Sequence, residues 1–121
     1  MIAVMIVTNH PIMRKGLRMR VQQQPDMQVV CETSNPAQTL RDFRQSGPDV
    51  VVIDVQSPRG AGRKVVGALR AISSATPLVI LTTFPGEVDS STRPGQGAIR
   101  VVSKISASKE VIAAIREVLR R

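Results

Sequence analysis

The chain has 121 residues, 42% of them hydrophobic, and carries seventeen Lys and Arg against nine Asp and Glu, a formal charge of +8. That length suits one compact domain over residues 1–121, and no apolar run reaches the ~18–20 residues that a membrane-spanning helix requires. The single Cys31 excludes an internal disulfide and a multi-cysteine metal cluster, and Met1–Val7 lacks the basic flank and cleavage site of a secretion signal, so the expectation is a cytoplasmic protein with no membrane partner. The basic excess would suit a polyanion, and a small nucleic-acid-binding module is one reading of it. With two Phe and no Tyr or Trp, however, there is no stacking platform for bases, and the only cationic cluster is a mild one at Arg14, Lys15, Arg18 and Arg20. Solvated surface charge is the preferred account.

Ile2–Val7 opens the chain as a continuous apolar run, the pattern of a strand buried on both faces. Pro11–Gln23 then reads as a helix, with Pro in its first turn and a stop at Gln24-Pro25. Val29–Cys31 is a second strand. Pro36–Gln45 is a second helix, ended by Gly47-Pro48. Val50–Ile53 is a third strand, and Gly62–Ile72 a helix with Val65, Val66 and Leu69 on one side. Leu78–Leu81 is a fourth strand. Pro85–Gln96 stands where another helix would be due, yet contains Gly86, Pro94 and Gly95 and only Val88 as a non-proline apolar residue; a loop with at most one helical turn is expected. Val101–Val102 is a fifth strand, and Ser108–Leu119 a final helix with Val111, Ile112, Ile115, Val118 and Leu119 on its inner side. Strands alternating with helices imply an α/β fold, an open parallel sheet covered on both faces.

Ligands of such sheets bind beyond the carboxyl ends of the strands. The residues there are Thr8 and Asn9, Asp54, Thr82 and Thr83, and Lys104. An acid delivered by the run Val50–Ile53 is seldom there for packing. A carboxylate nucleophile with a hydroxyl and an ammonium nearby is a chemistry for accepting and holding a phosphoryl group. His10 precedes a proline, has no second histidine and is read as neither ligand nor phosphodonor. Asn9 is read first as a helix N-cap, because Pro11 begins the following helix. The loop Ser57–Lys64, with Arg59, Arg63 and Lys64, is either an anion site or a solvated connector, and lacks the spacing of a P-loop.

Ile6-Val7-Thr8-Asn9-His10-Pro11, Pro48-Asp49-Val50-Val51-Val52-Ile53-Asp54, Ser57-Pro58, Val79-Ile80-Leu81-Thr82-Thr83-Phe84 and Ser103-Lys104 occur in an order and spacing that resemble receiver domains of bacterial response regulators. The closest branch is the one that carries a LuxR/NarL-type DNA-binding domain. The resemblance implies a CheY-like, flavodoxin-like three-layer sandwich with strand order 2-1-3-4-5. It implies that Asp54 occupies the phosphoacceptor position, that Thr82 and Lys104 match the hydroxyl and lysine that contact the phosphoryl group, and that Gln56 matches the residue lending a backbone carbonyl to Mg²⁺. Asn9 and Asp54 complete the corresponding metal positions. The family's two adjacent acids after the first strand are replaced by Thr8-Asn9, Val101 stands where a switch aromatic usually lies, and the fourth helix is eroded. Mg²⁺ prefers carboxylate oxygens. The expectation is therefore an atypical receiver that is not an enzyme, with impaired Mg²⁺-dependent phosphorylation and a weak or unused metal site; an ordinary receiver phosphorylated by a histidine kinase is the alternative. Expected partners are such a kinase, a weak homodimer through the outer helices, and DNA only through an output domain outside this chain.

Overall fold

Short Val- and Ile-rich runs become strands here because each is packed on both faces, where branched side chains fit the pleat. The computed structural model describes residues 1–55 and 61–120. In chain order it contains β1 (Ile2–Val7), α1 (Pro11–Gln22), β2 (Met27–Thr33), α2 (Pro36–Ser46), β3 (Val50–Val55), α3 (Ala61–Ile72), β4 (Leu78–Thr82), β5 (Ile99–Ser103) and α4 (Ala107–Leu119). The strands form one parallel sheet in the order β2-β1-β3-β4-β5. The central strand β3 is buried along its whole length.

The sheet's alternating side chains supply two apolar cores. On one face Val4, Ile6, Val50 and Val52 pack with Leu17 and Val21 of α1 and Val111, Ile115 and Val118 of α4. On the other, Met5, Val51, Ile53 and Ile80 pack with Val65 and Leu69 of α3, while Leu40 and Phe43 of α2 cover the edge. This is the expected three-layer arrangement. The β4–β5 connection contains a single 3-10 turn at Pro85–Glu87 and no α-helix, as the Gly and Pro content of that segment predicts.

Local chemistry marks the helix ends. The Asn35 side chain accepts the Ala37 amide at 2.9 Å and caps α2, whose other end closes on Gly47 at φ 55°, a left-handed conformation that suits glycine. At α1 the expected cap is corrected. Pro11 is itself the first helical residue, so the N-cap position falls on His10 rather than Asn9, and His10 makes no side-chain cap bond. The Thr8 hydroxyl instead accepts the His10 amide at 3.1 Å.

The outer helices are pinned by ion pairs that sequence spacing conceals. Arg116 of α4 grips Asp26, just before β2, at 2.7 and 3.0 Å and also reaches Gln24 at 3.2 Å. The hydrogen bond from Arg116 holds the Asp26 carboxyl below its ordinary range. Because the folded value is the depressed one, this small contribution to stability is complete above the unfolded value and is lost as pH falls through the folded one. Arg116→Gln is therefore expected to flatten the dependence of melting temperature on pH in the acid limb below about pH 4. Thermal scans between pH 2 and 7 test this; an unchanged acid limb would contradict it.

Candidate functional site at the strand ends

Parallel register decides which strand-end residues meet. Val7 is paired with Ile53, so the next residues, Thr8 and Asp54, lie abreast where β1 and β3 end. The Thr8 hydroxyl donates to Asp54 Oδ2 at 2.7 Å. On the opposite side of β3, the ammonium of Lys104 reaches Asp54 Oδ1 at 2.5 Å from the 3-10 turn Lys104–Ser106 that follows β5. The Asp54 side chain is only 1% exposed and that of Lys104 16%, so this charge pair sits under the surface. His10 adds an imidazole nitrogen 3.9 Å from Asp54 Oδ2 while remaining half exposed. Asp54 thus has one carboxylate oxygen ion-paired with a lysine and the other hydrogen-bonded to a hydroxyl.

Thr82 is fully buried at the end of β4. Its register partner is Val55, one residue beyond Asp54, and its hydroxyl accepts the Phe84 amide at 3.1 Å. The structure therefore draws Asp54 and Lys104 into contact and sets Thr82 one step along the neighbouring strand. Asn9 is exposed beside the site. Gln56 and the stretch Ser57–Gly60 of the suspected anion loop lie outside the described residues. Among those described, no group of three or more His, Cys, Asp or Glu is gathered so as to hold a metal ion.

Two contributors escape a reading of the residues alone. Thr8 stands among the strand-end residues of the sequence only as an uncharged position, whereas in the fold its hydroxyl is a partner of Asp54, a contact that the expected 2-1-3 strand order, setting β1 beside β3, brings within reach. His10, set aside as an isolated histidine, is carried to the same carboxylate by the turn into α1.

The profile of the response regulator receiver domain matches residues 4–116. The chain belongs to that family. It is 32% identical over 119 residues to the uncharacterized transcriptional regulatory protein YxjL of Bacillus subtilis, an alignment covering 98% of this chain and 55% of the relative. With the transcriptional regulatory protein BtsR of Escherichia coli it shares 39% identity over 69 residues, 57% of this chain and 29% of BtsR. Among solved structures it resembles a LuxR-family two-component response regulator from Aurantimonas, with TM-score 0.77 and 26% identity over 98% of this chain and 84% of that one. The response regulator domain of Thermotoga maritima CheB shares the fold at TM-score 0.77 and 20% identity, covering 99% and 97% of the two chains. The chain is thus a receiver domain of two-component signalling, similar to a LuxR-family regulator among solved structures, and it spans about half or less of the length of the two curated relatives. No helix among the described residues is long and apolar enough to cross a membrane.

Proposed function

We propose that this chain is an atypical receiver over residues 1–121, a cytoplasmic regulatory module rather than an enzyme, in which Asp54 holds the phosphoacceptor position but Mg²⁺-assisted phosphorylation is impaired. The observation that carries the reading is the occupation of the Asp54 carboxylate by Lys104 on one oxygen and the Thr8 hydroxyl on the other. Mg²⁺ demands near-octahedral oxygen ligands and normally takes one or two carboxylates. Among the described positions that match the family's pocket Asp54 is the only carboxylate, and Thr8 and Asn9 contribute no charge, so these residues do not fit that ion.

What the chain's own groups can do is more limited. For transfer, an Asp54 oxygen would form a bond to phosphorus as the donor's leaving group departs with the electron pair. Lys104 would then turn from neutralising the carboxylate to neutralising the phosphoryl oxygens, with Thr82 at the position of the contacting hydroxyl. The attacking oxygen must first be released by the partner that now holds it.

The test is labelling by acetyl phosphate in the presence of Mg²⁺, read as intact mass. The unmodified chain is expected to label poorly, and Thr8→Asp combined with Asn9→Asp to raise labelling roughly tenfold or more by restoring metal ligands. Equal, Asp54-dependent labelling of both proteins would favour the ordinary phosphorylatable receiver, with a histidine kinase as donor. On the preferred reading, signalling proceeds through a constitutive surface. A weak homodimer through α1 and α4 is one such use, because part of their basic charge is already answered: Arg14 and Arg18 share Glu32 at 3.8 and 3.0 Å, and Arg116 holds Asp26. The names of YxjL and BtsR, both transcriptional regulatory proteins, support a transcriptional role, with DNA reached through an output domain outside this chain.

A further inference from the structure

Because the β4–β5 connection forms only one turn, Val88 is the single side chain it lays against the second apolar core. Between that segment and α3 lies a cleft of about 310 Å³, walled by Val55, Val66, Ile80 and Val88 and bordered by Glu87 and Asp89. That volume falls at the small end of ordinary ligand sites, which combine apolar walls with a few directed polar groups. The chain carries +8 overall, yet among the described residues lining this cleft the two charged ones, Glu87 and Asp89, are acids, and both are exposed. Hydrogen bonds from Ser91 hold the Asp89 carboxyl below its ordinary range, so the negative charge persists at neutral pH.

We propose that this cleft binds a compact hydrophobic cation, an alkyl- or aryl-ammonium whose apolar body lies on Val55, Val66, Ile80 and Val88 and whose ammonium meets Glu87 and Asp89. The site is distinct from the Asp54 carboxylate and does not rest on whether that residue is phosphorylated. It is nevertheless adjacent: Val55 follows Asp54 directly and is registered with Thr82. A ligand seated there presses on the two strand ends that carry the receiver chemistry, which makes it a chemical input to the same surface. Gly67 of α3 supplies part of the wall, and a Cβ built on it meets no atom within 4 Å. A Cβ at this position therefore meets open space, which makes Gly67 the place to test whether a larger side chain fills the cleft.

The experiment is an amide NMR titration of the chain with benzylammonium to millimolar concentration. Saturable shifts concentrated on Val55, Val66, Gly67, Ile80 and Val88 are expected. Glu87→Gln with Asp89→Asn should weaken binding about 3- to 10-fold, and benzyl alcohol, with the same body and no charge, should lose a similar factor. Gly67→Leu should abolish the shifts while the spectrum stays dispersed, since leucine is the better helix former. Undiminished binding by folded Gly67→Leu would overturn the proposal, as would equal affinity for benzylammonium, benzyl alcohol and benzoate. Shifts at these residues that follow protein concentration and ignore the ligand would also overturn it, by assigning the cleft to a second copy of the chain.

Discussion

Replacing Lys104 with Met is expected to destabilise the domain by about 2–4 kcal/mol at neutral pH, because it strands a buried carboxylate. The Asp54 side chain is 1% exposed and its Oδ1 faces the Lys104 ammonium, while only Oδ2 has the Thr8 hydroxyl to accept from. Forming a buried ion pair yields little net stability, since both ions give up water. Removing one partner costs far more, since the remaining ion keeps its desolvation and loses its compensation. The asymmetry of exposure predicts the rest of a double-mutant cycle. Lys104 is 16% exposed and its flexible stem can turn to water, so Asp54→Asn alone should cost about 1 kcal/mol or less. Adding Asp54→Asn to Lys104→Met should recover most of the loss, giving a strongly non-additive cycle. Urea melts of the four proteins measure this, with unchanged slopes confirming that the comparison concerns stability alone. A Lys104→Met protein within 0.5 kcal/mol of the parent would show that water already compensates Asp54 and that the site is far wetter than its burial implies.

Gly97→Ala is expected to cost about 2–3 kcal/mol through a steric conflict that no side-chain motion relieves. Gly97 enters β5 where the chain passes over the turn after α3. Its amide donates to the Ser74 carbonyl at 2.9 Å, and its own carbonyl accepts Arg70 Nη2 at 2.7 Å. Arg70 also donates to the Ser74 and Thr76 carbonyls, at 2.6 and 3.2 Å, so one guanidinium ties three backbone groups together. A Cβ on Gly97 would collide with the Ala75 carbonyl oxygen and sit 2.6 Å from the Thr76 carbonyl. Every obstacle is backbone, and the carbonyls on either side of Ala75 are held by Arg70, so β5 itself must shift, and with it the approach to Lys104. Gly67→Ala is the matched control. Its Cβ meets nothing within 4 Å, so the gain in helix propensity, up to about 1 kcal/mol, should appear undiminished. Opposite signs for the two substitutions in chemical denaturation are the expected result, and a neutral Gly97→Ala would mean that the turn yields far more readily than its hydrogen bonds indicate.

The two glycines show where a linear reading stops. Gly67 falls inside a helix read from the sequence and Gly97 just before the last strand, but only the passage of the chain over residues 74–76 makes Gly97 the intolerant position. What the sequence by itself determined was local in origin: five Val- and Ile-rich runs, helices opened by Pro11 and Pro36, a stop at Gly47, and a β4–β5 segment too rich in Gly and Pro to form a helix. From those runs followed the parallel sheet and the delivery of Asp54 to a strand end. Tertiary structure alone decided what Asp54 touches there. Its bond to Thr8 joins residues 46 positions apart and exists because β1 and β3 are neighbours in register. The same holds for charge. The cations Arg14 and Arg18 read along the chain as a solvated basic cluster, whereas Glu32 on β2 comes to face them across the fold, as Asp26 before β2 faces Arg116 of α4. Apolar periodicity is written along the chain because burial acts on each residue in turn. Polar pairing is not, because a hydrogen bond or ion pair needs two groups within about 3 Å and takes whichever partner the packed elements bring there.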